Sequence, residues 1–282
     1  HTSHIETIMA TCEYSITFAC YNAVQYTKLC IESFIKHGTP LDRLIVVDNG
    51  STDETRSYLK TLPLGGLILN KMNLGCGVAW NQGALVQQAE WSIIMNNDVL
   101  VSPMWIENLI HAAESKNLKV ISPALIEGPL DYDFDTFNLK AAAEMKDVHR
   151  FGSKHAVCIA IHRSVWMDVG YFQPIPKLLG YEDTLFFNEL KKSNIQTSIT
   201  GASWLHHFGS ITQTAMKQER GLSEKDGLAN RYNYKLLNQS WLQRKFAKYQ
   251  TKQHQIQSSK AELAAHGMSV HGLRKNKEFV WI

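Results

Sequence analysis

RLIVVDNGSTDET, residues Arg43–Thr55, is the stretch that decides the fold. Arg43–Asp48 is an apolar run without alternation, which suits a strand covered on both faces of a parallel sheet. The run stops on Asp48. Asn49–Asp53 then reads as a turn, Ser51 and Thr52 supply capping hydroxyls, and Glu54–Leu59 starts a helix. Strand, acid-and-amide turn, helix: this is one βα unit, and the same pattern continues on both sides of it.

Upstream, Ser15–Tyr21 (SITFACY) reads as a buried strand. Val24, Leu29, Ile31, Phe34 and Ile35 then mark one face of a helix ending near Gly38. Downstream come a strand at Gly66–Leu69, a loop at Asn73–Gly77, a helix at Val78–Gln88 and a strand at Trp91–Met95, which ends in Asn96-Asn97-Asp98. Pro103 suits the first turn of a helix through Glu114, and Lys119–Ser122 is a fifth strand. Alternation at this spacing predicts an α/β fold, a mostly parallel Rossmann-like sheet with helices on both faces. Glu127–Arg150 reads as an irregular polar excursion. Ala156–His162 is a strand, Ser164–Gly170 a short helix, Glu182–Ser193 a further helix, and Ile195–Thr200 a strand leading into Ser203–Thr212.

Composition sets limits on this reading. Five cysteines occur with no Cys-x-x-Cys pair, which argues against a disulfide framework or zinc ribbon and suits a reducing, cytoplasmic setting. No apolar run reaches the roughly 18–20 residues of a spanning helix. Residues 1–14 read as a lead-in without the pattern of a signal peptide. Charge is uneven. Residues 213–282 carry 13 Lys/Arg against 5 Asp/Glu, while residues 1–212 carry 16 against 21. The chain therefore divides into an acidic α/β body, residues 15–212, and a basic, helical C-terminal extension, residues 213–282.

Ligands of parallel α/β sheets bind beyond the carboxyl ends of the strands. Those positions hold Tyr21 and Asn22 after the first strand, Asp48 and Asn49 after the second, and Asn96, Asn97 and Asp98 after the fourth. Asp53 is equally readable as a helix cap. Glu182 and Asp183 open a helix, where acids also favour the helix dipole. His206 and His207 follow a strand and cannot both point the same way from it. The tryptophans read as packing residues, with Trp204 the one placed to meet a sugar.

The segments SITFACYNA, LIVVDNGSTDET, NLGCGVAWNQG, SIIMNNDV, GYEDTLF and HHFGSIT appear in the order seen in family 2 glycosyltransferases, over about Ser15–Thr212. The chain resembles that family, and within it the VDNGS-type branch of rhamnosyltransferase-like polysaccharide enzymes. The resemblance implies a GT-A fold and an inverting transfer from a nucleotide-sugar donor, UDP- or dTDP-linked, to a glycan or lipid-linked glycan acceptor. By the same resemblance Asp48 meets the nucleobase, with Tyr21, Asn22 and Asn49 around it, and Asn73 and Gly75 pass the ribose and diphosphate. Asn81 is either a donor contact or a helix-face polar residue. Asn96-Asn97-Asp98 matches the Asp-x-Asp metal motif, with Asn96 in place of its first acid. A divalent cation, Mn²⁺ or Mg²⁺, would then lean on Asp98 and donor phosphates, with His207 as a further ligand and His206 its alternate. Asp183 matches the base, with Glu182 second. A competing reading, a catalytically degenerate sugar-nucleotide-binding module of a larger assembly, draws on Asn96.

The tail segment Arg231–Gln250 intersperses Tyr234, Leu237, Trp241, Leu242, Phe246 and Tyr249 with Arg and Lys. This layout suits a helix docked on the acidic body, joined to a partner subunit, or lying on an anionic membrane at its cytoplasmic face. No nucleic-acid motif is present.

Overall fold

The computed structural model describes residues 13–174, 182–209, 211, 214 and 235–282. Residues 1–12 of the lead-in, Gly180 and Tyr181 of GYEDTLF, Ser210 and Thr212 of HHFGSIT, and Arg231–Tyr234 of the tail lie outside the described residues. The first half follows the expected alternation: β1 (Tyr14–Cys20), α1 (Val24–Lys36), β2 (Leu44–Asp48), α2 (Thr55–Leu59), β3 (Gly66–Leu69), α3 (Cys76–Val86) and β4 (Trp91–Asn96). β1 pairs in parallel with β2 and β4, and β2 with β3. The register sets Cys20 against Asp48 and Ala19 against Asn96, so the polar strand ends share one edge of the sheet.

The second half contains β5 (Val99–Val101), α4 (Trp105–Ser115), β6 (Val120–Glu127), α5 (Phe134–Met145), β7 (His149–Phe151), β8 (Cys158–His162), α6 (Arg163–Asp168), α7 (Glu182–Lys192), β9 (Thr197–His207), α8 (Trp241–His266), β10 (His271–Lys275) and β11 (Glu278–Trp281). Along the main path the strand order is β11-β10-β6-β8-β4-β1-β2-β3. The period-two alternation of β1 and β4 splits the core. Ile16, Phe18, Ile93 and Met95 pack on one face with Ile31 and Phe34 of α1 and Leu109 of α4. Ile94 turns to the other face with Trp80 and Ala84 of α3 and Phe186 of α7. Each such side chain contributes about 1.5–3 kcal/mol on burial.

Four features depart from the expected layout. Residues 127–150 are not irregular: Asp133 caps α5 by accepting from Thr136 N at 3.0 Å, and β7 pairs with β9. β8 runs antiparallel to both β4 and β6, which brings the residues preceding it to the carboxyl edge of the parallel strands. β9 runs on to His207 because its pairing with β6 slips, from Pro123↔Thr200 directly to Ala124↔Trp204. Gly201 occupies that slip, where an added Cβ would lie 2.4 Å from Met145 O.

The fourth departure corrects the all-helical reading of residues 213–282. α8 ends at Gly267, in the left-handed region at φ 69°, and the chain returns as the hairpin β10–β11. β10 pairs in parallel with β6, so the extension supplies an edge of the main sheet. Buried Arg150 ties the hairpin down. Its guanidinium donates to both carboxylate oxygens of Glu262 at 2.9 and 2.6 Å and to Ser269 Oγ at 2.6 Å. Glu262 also accepts from Val270 N at 3.0 Å.

Candidate active site

A cavity of about 460 Å³ opens at the carboxyl edge of β1, β2 and β4. Tyr21, Asn49, Asn73, Asn96, Asn97, Asp98, Glu182, Asp183 and His207 line it. Asn22, Asp48, Gly75, Asn81 and His206 do not.

One side is a network of amides. Asn49 Nδ2 donates to Asn73 Oδ1 at 3.0 Å and to Gly75 O at 3.1 Å, while its Oδ1 accepts from Leu74 N and Asn70 Nδ2, each at 3.1 Å. Asn70 and Gln82 complete the chain through paired amide contacts at 2.8 and 3.0 Å. Gly75 sits at φ 89°, which side-chain-bearing residues rarely adopt, and this lets the loop turn into α3. Asn22 lies behind: its Oδ1 accepts from Thr52 N at 2.8 Å and Asp53 N at 3.3 Å. Asp53 in turn accepts from Val24 N and Thr55 N, which is the capping role. Asp48 is fully buried. It accepts from Arg56 Nε at 2.5 Å and from Gly50 and Ser51 backbone N–H groups. Its carboxylate thus faces Arg56 rather than the cavity. Asn81 clamps residue 172, donating to Phe172 O at 2.7 Å and accepting from Phe172 N at 3.0 Å, so it is the helix-face polar residue.

The other side is acidic and built by strand register. Val99 pairs with His207, and Glu127 pairs with the same His207 from β6. Asp98 and Glu127 therefore flank one imidazole. His207 Nε2 lies 3.3 Å from Asp98 Oδ1 and Nδ1 lies 3.6 Å from Glu127 Oε1. At 3.6 Å the second contact is between charges rather than a hydrogen bond. Burial disfavours a charged His207, but Asp98 and Glu127 outweigh it and raise the imidazole to about 9. Glu127 is held well below the usual carboxylate range by His207 and by His271, whose Nε2 lies 3.7 Å away on β10. His206 points to the opposite side, as alternation requires. It is fully buried, contacts Tyr132 OH through Nδ1 at 2.9 Å, and is lowered to about 4 mainly by that burial.

The geometry fits a divalent cation in a limited way. Asp98 and His207 Nε2 converge at the cavity wall, and Glu127 behind Nδ1 matches the outer carboxylate that orients metal-binding histidines. Asn96 Nδ2 lies 3.4 Å from His207 Nε2, and turning the amide over presents its oxygen there. Among the described residues no group of three or more His, Cys, Asp or Glu side chains is arranged to hold a metal ion. Two protein ligands leave the remaining positions to a ligand's oxygens.

Glu182 and Asp183 open α7 and line the same cavity. Gly77 of α3 makes the approach possible, since a Cβ there would lie 3.3 Å from Glu182 Cβ. Burial raises Asp183, against hydrogen bonds from Thr184 that stabilise its charge.

Sequence reasoning missed Lys154, His155 and Phe187 on the cavity wall, and Glu127 behind it. Lys154 lies 5.4 Å from the Phe187 ring centroid. His155 Nε2 contacts Pro123 O at 2.8 Å, and burial lowers it to about 4. Both precede β8, and only its reversed direction carries them to the site. Trp204, singled out as a sugar contact, is fully buried and donates to Gly201 O at 2.8 Å. Trp80 lines the cavity instead.

Comparisons with known proteins agree with this architecture. The sequence model described as "Glycosyl transferase family 2" matches residues 15–172. An uncharacterized glycosyltransferase of Haemophilus influenzae is 31% identical over 107 residues, 36% of this chain and 33% of that protein. Glycosyltransferase GlyG of Streptococcus pneumoniae is 27% identical over 111 residues, 38% of this chain and 37% of that protein. The aligned segment thus spans about a third of these curated relatives' length. Among solved structures, GalNAc-T7 with UDP, GalNAc and Mn²⁺ superposes with TM-score 0.54 at 13% identity, over 71% of this chain and 44% of that one. Mannosyltransferase PcManGT from Pyrobaculum calidifontis, in complex with GDP-Man and Mn²⁺, gives 0.54 at 18% identity, over 75% and 61%. Staphylococcus aureus TarS 1–349 gives 0.51 at 16%, over 70% and 61%. The fold is GT-A.

Proposed function

The chain belongs to glycosyl transferase family 2, and on that premise we propose that it moves a sugar from a nucleoside-diphosphate donor to an acceptor hydroxyl with inversion at the anomeric carbon. The observation that carries the reading is one cavity lined together by the Asp98–His207 pair and by Asp183. An in-line displacement needs those two functions on opposite sides of the sugar.

In this reading the 73–75 loop passes the donor diphosphate, and Lys154 adds a cation to the cavity. Tyr21 and Asn49 face the nucleoside. Asp98 and His207 would hold a divalent cation, with Asn96 beside them, and such a cation neutralises the charge that develops on the leaving diphosphate. Asp98 favours a proton on His207 Nε2, which a cation there would displace, while Glu127 on the Nδ1 side favours keeping the other. Asp183 accepts the proton of the acceptor hydroxyl. Burial favours its neutral form, which makes its carboxylate a stronger base than an exposed one. Glu182, beside it, orders the helix start. The VDNGS sequence at Val47–Ser51 supports an assignment to surface-polysaccharide synthesis, with a glycan or lipid-linked glycan as acceptor. UDP, dTDP and GDP sugars are the donors to try, GDP because a neighbouring fold was solved with GDP-Man.

The test is thermal stabilisation by UDP, dTDP and GDP, with and without Mn²⁺, on the wild type and Asp98→Ala. One nucleotide should stabilise the wild type, by about 2.7 kcal/mol at a hundred times its Kd. Mn²⁺ should strengthen the effect and Asp98→Ala remove that strengthening. No shift with any nucleotide would overturn the reading.

A further inference from the structure

The long helix α8 is amphipathic the wrong way round for a helix docked on a body. The face that meets the protein is polar: Ser259 and Glu262 are buried, Ser258 is half-buried, and His254 Nε2 contacts Phe151 O at 2.9 Å. Trp241, Leu242, Phe246 and Tyr249 follow another face, at positions one, two, six and nine of the helix, and are 58–69% exposed. Ile256 continues the same stripe two turns on. A packed helix ordinarily buries its apolar stripe. Here the stripe has no partner among the described residues.

Charge selects what would cover it. Lys245, Lys248 and Lys252 run along one flank of the stripe, and Lys245 Nζ lies 4.1 Å from the Trp241 ring centroid. No acidic residue occurs between Trp241 and Ala261, a stretch holding five Lys and Arg residues. A second copy would bring five more like charges against these. An anionic bilayer meets both features, since its headgroups pair with the lysines and its acyl boundary takes up the aromatic side chains. No helix among the described residues is long and apolar enough to cross a membrane, so the contact lies in the interface.

We propose that α8 docks the protein on an anionic lipid surface through Trp241, Leu242, Phe246 and Tyr249, with Lys245, Lys248 and Lys252 against the headgroups. The position deepens the proposed function, and rests on it in one respect: it sets the cavity beside a lipid-borne acceptor. Gln239, just before α8, donates to Asn188 Oδ1 at 3.3 Å on α7, next to the cavity residue Phe187. Phe151, held by His254, lies three residues from the cavity residue Lys154.

Flotation with phosphatidylcholine vesicles, with and without phosphatidylglycerol, tests the docking. The full chain should float with the anionic vesicles only, and salt should weaken this. The Trp241→Ser/Leu242→Ser/Phe246→Ser variant should lose roughly tenfold or more in partitioning for each side chain removed. Lys248→Gln should lose about fivefold. All these residues are surface-exposed, so Tm and hydrolysis of the donor in solution should not change. Retained hydrolysis alongside failed flotation sinks the docking but not the proposed transfer. Absence of flotation, equal flotation with neutral vesicles, or full binding by the triple variant would overturn the proposal. So would a dimer, seen by light scattering, that the triple variant abolishes.

Discussion

The two sides of the cavity are made in opposite ways. The amide side, Asn49, Asn70, Asn73 and Gln82, is neutral and satisfies its own hydrogen bonds within residues 49–82. The acidic side, Asp98, Glu127 and His207, brings charges from just before β5, from β6 and from β9 to within 3.3–3.6 Å of one another, with His271 beyond Glu127. A satisfied network fixes a shape, whereas a charged cluster held by strand register keeps capacity to bind something. Asp183, on α7, is a carboxylate that burial works against. Variants should therefore separate by side.

The largest effect is expected at Asp183. Asp183→Asn should lower kcat about 10²–10⁴-fold with donor binding intact. Its stability should move the other way. Because the folded pKa is raised, the neutral form is favoured; that stability is present below the ordinary carboxylate value and lost as pH rises through the folded one. At neutral pH the ionised Asp183 is thus a cost, and the Asn variant should melt higher than wild type in neutral buffer and no higher in acid. An unchanged rate would remove Asp183 from the mechanism.

Glu127→Gln comes next. Without the outer carboxylate, Mn²⁺ affinity in the presence of nucleotide should fall about 10–100-fold, as read by electron paramagnetic resonance. Tm in the absence of metal reports separately on folding. Unaltered affinity would make Glu127 an ordinary strand-end acid.

Asn49→Ala should have the smallest effect on rate and the clearest one on the fold. It leaves Leu74 N–H without its acceptor and removes one partner each from Asn70 and Asn73, costing about 1–3 kcal/mol in denaturant unfolding. KM for the donor should rise more than kcat falls. A large drop in kcat with normal stability would erase the distinction between the two sides.

The same division explains what could be read in advance. β1, α1, β2, β3 and β4 follow one another with local periodicity, and the acids and amides at their ends were visible as strand-end residues. Asp98 and His207 entered through motif order. Their meeting depends on Val99 pairing with His207 across more than a hundred residues, which no periodicity encodes. Lys154 and His155 were missed because β8 is reversed, and an apolar run such as Cys158–His162 carries no mark of direction. Asp48 looked available because it ends a buried strand, but Arg56, the second residue of α2, reaches back to hold its carboxylate. The hairpin was missed because Gly272, Arg274 and Lys275 are poor strand formers in isolation, and a sheet edge recruits them.

The placement of β10 carries a consequence for how the enzyme comes into being. The N-terminal strands can pair as soon as they are made, because their partners are close in sequence. Glu127 must wait for His271, which lies in β10, beyond the whole of α8, and enters as a parallel neighbour of β6. The acidic wall is therefore finished after the amide wall, once β10 has been made. A truncated or stalled product would hold a folded nucleotide-side pocket without its finished counterpart, and so would sequester donor more readily than it would consume it.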